Sequence, residues 1–175
     1  MKRHIWLLGS LSALLAMGCS HGPPKPRHPL IPDGSTVAVI MFRDCVIQDQ
    51  EDCDGSGNTA GSIFASKLND SDFIHAVPLS RPVGPKEELN DDAAVALAKA
   101  KGYAYVLNGE VADYYRVAPM TFREERAAAN IRVLSTADGK IVYFHDDNDT
   151  ANDMSSPQSI LEDIAEDVRD DLSDD

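Results

Sequence analysis

No apolar run in this 175-residue chain reaches the roughly 20 residues that a membrane-spanning helix needs; the longest, Ile5 to Met17, has about thirteen. The chain has no HExxH and no CxxC, and its nearest approach to GxSxG is "DGSGN", which is not one. Those absences remove the common signatures of zinc hydrolases, thiol redox proteins and serine hydrolases. Histidine gives no site either. His4, His21 and His28 fall in the first 35 residues, His75 stands between Ile74 and Ala76, and His145, beside Asp146 and Asp147, has no second histidine placed to complete a metal site. Basic charge is scarce, with 16 Lys and Arg against 29 Asp and Glu, for a net charge of −13. From Asp146 to Asp175 there are twelve acids and one base, Arg169, so the last thirty residues carry −11 of that total. Such an end repels phosphate and anionic lipid, which excludes nucleic-acid binding there. No catalytic residue is assigned, and no cofactor is expected.

The amino terminus is informative. Lys2 and Arg3 precede the apolar run, and the small residue Gly18 closes it before Cys19, the pattern of a secretory signal. "AMGC" resembles the bacterial lipobox, with Ala16 where Leu is usual. The resemblance implies cleavage before Cys19 and lipid on its sulfur and amine, with residues 1–18 as the signal peptide. Ser20, where Asp would retain an inner-membrane lipoprotein, implies sorting to the outer membrane and a domain facing the periplasm. Residues 19–35 then form the lipid anchor and a linker holding five of the ten prolines. Extended at about 3.1 Å per residue, the linker reaches up to roughly 45 Å from the bilayer.

With Cys19 lipidated, Cys45 and Cys53 remain in an oxidising compartment and are expected to pair, a closure worth about 2.5 kcal/mol for a loop of roughly nine residues. The overlapping stretch Asp52 to Asn58, "DCDGSGN", has the look of a calcium loop. Such a loop needs Asp or Asn at positions 1, 3 and 5, Gly at 6 and a bidentate Glu at 12. Aligned on Gly55, position 1 is Gln50 and position 12 is Gly61; aligned on Gly57, position 12 is Ile63. A stapled acidic turn is therefore expected and no metal is assigned, with Asp52, Asp54 and Asn58 left as candidates for weak calcium association.

Residues 36–175 suffice for one globular domain. "TVAVIMF" is a continuous apolar, β-branched-rich run, predicting a strand covered on both faces. "TAGSIFASKLND" has helical spacing, with Asn58 or Thr59 as N-cap candidates. "FIHAVPL" predicts a short strand, and "DDAAVALAKAKG" a helix with Asp91 or Asp92 at its start. Tyr103 to Val117 and Thr121 to Ser135 read as two long strands, although Asn108-Gly109 could instead split the first as a hairpin. "ADGK" predicts a two-residue turn at Asp138-Gly139 into "IVYFH". Ser156 caps a last helix with Pro157 at its first position and Leu161, Ile164, Val168 and Leu172 on one face. The fold class is α/β (α+β), a single domain with a mixed sheet in the order β-α-β-α-β-β-β-α.

"VAVIMF", "NTAGSIFASKL", "AKAKGYAYVLNGEV" and "ANIRVLSTADGKIVYF" together resemble uncharacterised bacterial lipoproteins whose domain is similar to the amino-terminal domain of TolB and to LpoB and CsgG. The resemblance implies one unbroken strand through Gly109. It supplies no catalytic residues and implies an assembly, scaffold or regulatory part, while this chain departs from the CsgG-type pattern in lacking the long insertions that build a pore. A non-catalytic outer-membrane lipoprotein that binds an envelope protein is expected, with Asp167, Asp170 and Asp171 on the acidic helix as candidate contacts. The alternative is a periplasmic module that binds a ligand or divalent cation.

Overall fold

Val37 to Ile40 are wholly buried and apolar, and they form the centre of β1 (Ser35–Ile40), a strand covered on both faces as its composition predicts. The computed structural model describes residues 30–47, 51–115, 125–151 and 156–173. After β1 come a 3-10 turn at Glu51–Cys53, α1 (Ser56–Leu68), β2 (Ile74–Leu79), α2 (Asp91–Ala100), β3 (Tyr105–Tyr115), β4 (Glu125–Ser135), β5 (Ile141–Ala151) and α3 (Pro157–Ser173). This is the α+β order read from the sequence. The five strands form one mixed sheet in the spatial order β2-β1-β3-β4-β5. β1 runs parallel to β2 and to β3, and β3, β4 and β5 are antiparallel.

That order places the helices. β2 lies on one side of β1 and β3 on the other, so the two crossovers step in opposite directions across the sheet. Crossovers of one hand must then lay α1 and α2 on opposite faces. Two separate cores result. On one face α1 and α3 bury Val37, Val39, Phe42, Phe64, Leu68, Leu107 and Ile131 among others; on the other α2 covers a smaller cluster that includes Ile40, Val106 and Leu134. The Phe42 and Phe64 rings lie 4.9 Å apart and tilted by 41°, a contact worth about 0.5–1.5 kcal/mol beyond its buried area.

Two glycines permit the close approaches of the larger core. A Cβ on Gly57 would stand 2.1 Å from the Phe42 carbonyl oxygen, so only glycine lets the first turn of α1 rest on the end of β1. A Cβ on Gly109 would stand 2.7 Å from the Phe42 ring. Gly109 is therefore a strand residue under an aromatic ring and not a hairpin turn, and β3 runs unbroken past it, with a register shift between Val111 and Asp113.

Several boundaries differ from the sequence reading. The β4–β5 turn is longer than two residues: the Ser135 N–H donates to the Lys140 carbonyl and the Gly139 N–H to the Ser135 carbonyl, both at 2.9 Å. β5 continues to Ala151, pairing Asn130 with Asp146 and Ala127 with Asp149, so the acidic stretch opens as an edge strand. Ile31, in the segment expected as linker, is only 2% exposed and belongs to the larger core.

Candidate functional site

The stapled loop resolves into a small anion cradle. Cys45 and Cys53 are disulfide-bonded, with Cα atoms 5.0 Å apart. Between them and the start of α1 the chain turns through Gly55, whose φ of 83° makes it the helix cap in place of Asn58 or Thr59. Among the described residues no side chain of the loop caps the helix. Asp44, only 3% exposed, does so from outside: the Gly55 N–H donates to its Oδ2 at 2.9 Å and the Gly57 N–H to its Oδ1 at 2.7 Å. The Cys45 N–H donates to Ser56 Oγ at 3.2 Å. A carboxylate at the positive end of a helix is the favourable arrangement.

This polarity is opposite to that of a calcium loop, in which oxygens converge on a cation. Asp52 is half-buried, and Asp54 and Asn58 are exposed. Asp54 is already paired with Lys86 Nζ at 2.7 Å, and that contact raises the Lys86 pKa. Among the described residues no three His, Cys, Asp or Glu side chains form a group that could hold a metal.

The acidic helix is built as its pattern predicts. Ser156 caps it by accepting from the Ser159 N–H at 3.2 Å, and Ile160, Leu161, Ile164, Ala165, Val168 and Leu172 are buried. The three candidate contacts on its polar side fare differently. Asp170 accepts from Arg169 Nη2 at 2.7 Å, and Asp171 accepts from the Tyr143 hydroxyl at 3.0 Å, tying α3 to β5. Asp167 is exposed, as is Asp163, and neither has an ion-pair partner among the described residues. Glu166 meets Lys67 of α1 at 2.6 Å, which holds its carboxyl below the usual range. His145, whose sequence neighbours are Asp146 and Asp147, contacts the Tyr143 hydroxyl through Nδ1 at 2.9 Å. Cys19 lies outside the described residues.

Sequence reasoning missed Asp44, whose amide partners are eleven and thirteen residues away along the chain. It also missed Arg43, Arg81 and Arg132, which three separate segments bring to one cavity with Asn108 and Glu110 of β3. No local spacing announces either group.

No protein-family model matches the chain, and no curated protein does. Solved structures do. PelC of Paraburkholderia phytofirmans, solved as a dodecamer, is similar with a TM-score of 0.63 at 21% identity, over 83% of this chain and 91% of PelC. The hypothetical protein CT253 of Chlamydia trachomatis is similar with a TM-score of 0.50 at 12% identity, over 81% of this chain and 99% of its own. The LpoB carboxy-terminal domain of Salmonella enterica, a relative the sequence phrases suggest, is also a neighbour, at 13% identity over 69% of this chain and 86% of its own; its TM-score of 0.45 is too low to decide anything further. At these identities what is shared with PelC and CT253 is the fold.

Proposed function

We propose that this chain is a non-catalytic accessory or assembly protein of the cell envelope, lipid-anchored through Cys19 to the periplasmic face of the outer membrane and bound to a protein partner. The observation that carries the reading is α3. Its apolar stripe is spent on the core, while Asp163 and Asp167 stay exposed on the outer side, without ion pairs among the described residues. An outward row of carboxylates on a rigid helix suits a basic partner surface, steering its approach with a strong dependence on salt. The lipobox-like "AMGC" and Ser20 support the location.

Cross-linking in intact envelopes tests the docking role. The native chain should recover a protein partner, and Asp163→Asn with Asp167→Asn should recover less of it and lose the salt dependence; recovery unaffected by both changes would falsify the role of α3. The anchor has its own test. Cys19→Ala should abolish labelled palmitate incorporation, and undiminished labelling would remove the lipid from the proposal.

Self-assembly is a second reading, favoured by the dodecameric state of PelC and by the exposure of Ile141 (52%) and Phe144 (56%) on the edge strand β5. Light scattering during size-exclusion chromatography decides it. A monomer at all concentrations rules it out.

A further inference from the structure

At the carboxyl ends of the parallel strands β1 and β2, the region where open α/β sheets take ligands, the structure has a cavity of about 70 Å³. Arg43, just past β1, and Arg81, just past β2, meet there over Asn108 and Glu110 of β3 and Arg132 of β4. The space is several times the about 10–15 Å³ that admits one water. Three arginines lining one cavity run against the trend of a chain with net charge −13.

The internal pairing leaves charge over. Arg43 Nη2 stands 3.3 Å from Glu110 Oε2, and Arg132 Nε stands 3.0 Å from Asp91 Oδ1. Among the described residues Arg81 has no carboxylate at ion-pair distance. Its Nη1 and Nη2 donate instead to the carbonyls of Met41 at 3.4 Å and Glu87 at 2.5 Å. The Nε atoms of Arg43 and Arg81 are both buried with no hydrogen-bond partner among the described residues. Buried donors in native structures are nearly always satisfied, so these two guanidiniums stand beside the cavity with donor capacity that their neighbours do not use up. Burial first, and the charge of Arg43 second, push the Arg81 pKa down, the reverse of what an anion alongside would do. Glu88, exposed, stands at the same cavity and sets a limit on the negative charge admitted there.

We propose that this cavity binds a small oxyanion group, a carboxylate or a phosphate, held by the guanidinium forks of Arg43 and Arg81 with Arg132 beside them. The fork geometry of arginine matches two oxygens of either group, which lysine would not do. The site lies apart from α3 and does not depend on the docking role proposed above.

The test uses the full chain, labelled with nitrogen-15 and purified in detergent, with the arginine Nε–H resonances as the readout. Inorganic phosphate and sodium acetate are titrated in separate arms, each against sodium chloride at equal ionic strength. Saturable shifts at Arg43 and Arg81, with Arg126 and Arg169 unmoved, are expected in at least one arm, and the arm that responds at the lower concentration names the group. Arg81→Gln should raise the midpoint at least about tenfold, equivalent to about 1.4 kcal/mol, and Arg81→Lys should fall between it and the native chain. Shifts that chloride reproduces, shifts equal at Arg126, or an unchanged midpoint in folded Arg81→Gln would each overturn the site. If Arg81→Gln does not fold, the native titration decides by itself.

Discussion

The two faces of the sheet are built to different ends. Under α1 and α3 the wall is apolar and tightly closed, with Phe42 and Phe64 in contact and glycines where the backbone must come near. Under α2 the apolar cluster is smaller, and at its border Asn108, Glu110 and Arg132 replace apolar side chains on the same strands. Asn108 shows the exchange. It is 1% exposed, and its amide donates to the Leu89 carbonyl at 3.0 Å and to Asp91 at 2.9 Å, fixing the start of α2 to the sheet by hydrogen bonds. One face holds the fold together. The other keeps polar groups in place, at a cost in apolar burial that the first face covers.

Substitution can break that contrast. Phe64→Ala should destabilise the domain by about 3–5 kcal/mol, since it removes a fully buried ring and leaves a cavity. Leu89→Ala on the opposite face should cost about 2 kcal/mol, at the low end for leucine, because the site borders an open cavity that can relax. Urea unfolding of both variants measures the pair. Equal losses would mean that the α2 face carries as much of the stability as the larger core.

The stapled loop offers the next two steps. Reducing Cys45–Cys53 should lower stability by about 2.5 kcal/mol, seen as a shifted urea midpoint and, in mass, as two added hydrogens on the native chain. Asp44→Ala should cost about 1–3 kcal/mol, because the buried Gly57 amide and the half-buried Gly55 amide lose their acceptor. Asp44→Asn retains an acceptor, so its smaller loss separates hydrogen bonding from charge. If Asp44→Ala is neutral, the cradle is not what holds the first turn of α1.

The sequence made the scaffold legible because the scaffold follows local rules. A continuous apolar run gave β1, and Ser156, Pro157 and a periodic apolar stripe gave α3. Where two local rules competed, the reading stayed open: Asn108-Gly109 is a turn signal, and only the ring of Phe42 over Gly109 shows why it is a strand. Acidic composition hid the second half of β5, whose pairing with β4 outweighs the low strand propensity of Asp147 to Asp149. The anion cradle and the arginine cavity were not legible, because each joins residues from segments far apart in the chain.

The smallest effect expected is at the contact between the two helices of the closed face. Lys67 Nζ lies 2.6 Å from Glu166 Oε1, and the hydrogen bond lowers the Glu166 pKa below its usual 4.5 and raises that of Lys67 above 10.5. The signs follow from linkage. A depressed carboxyl stabilises the fold fully above its unfolded pKa and loses that contribution as pH falls through the lower folded value; a raised lysine does the reverse, losing its share as pH climbs past 10.5. The stability difference between the native chain and Lys67→Met should therefore be flat between those limits, shrink below pH 4.5, and shrink with added salt, since the pair is partly exposed. It should also be smaller than the loss from Asp44→Ala, whose carboxylate is buried. A difference that persists in acid and in high salt would show that the aliphatic stem of Lys67, packed between α1 and α3, matters more than its charge. A difference as large as that of Asp44→Ala would mean that the carboxylates of α3 help to hold the fold, and the neutralised variants used to test docking would then report on folding as well.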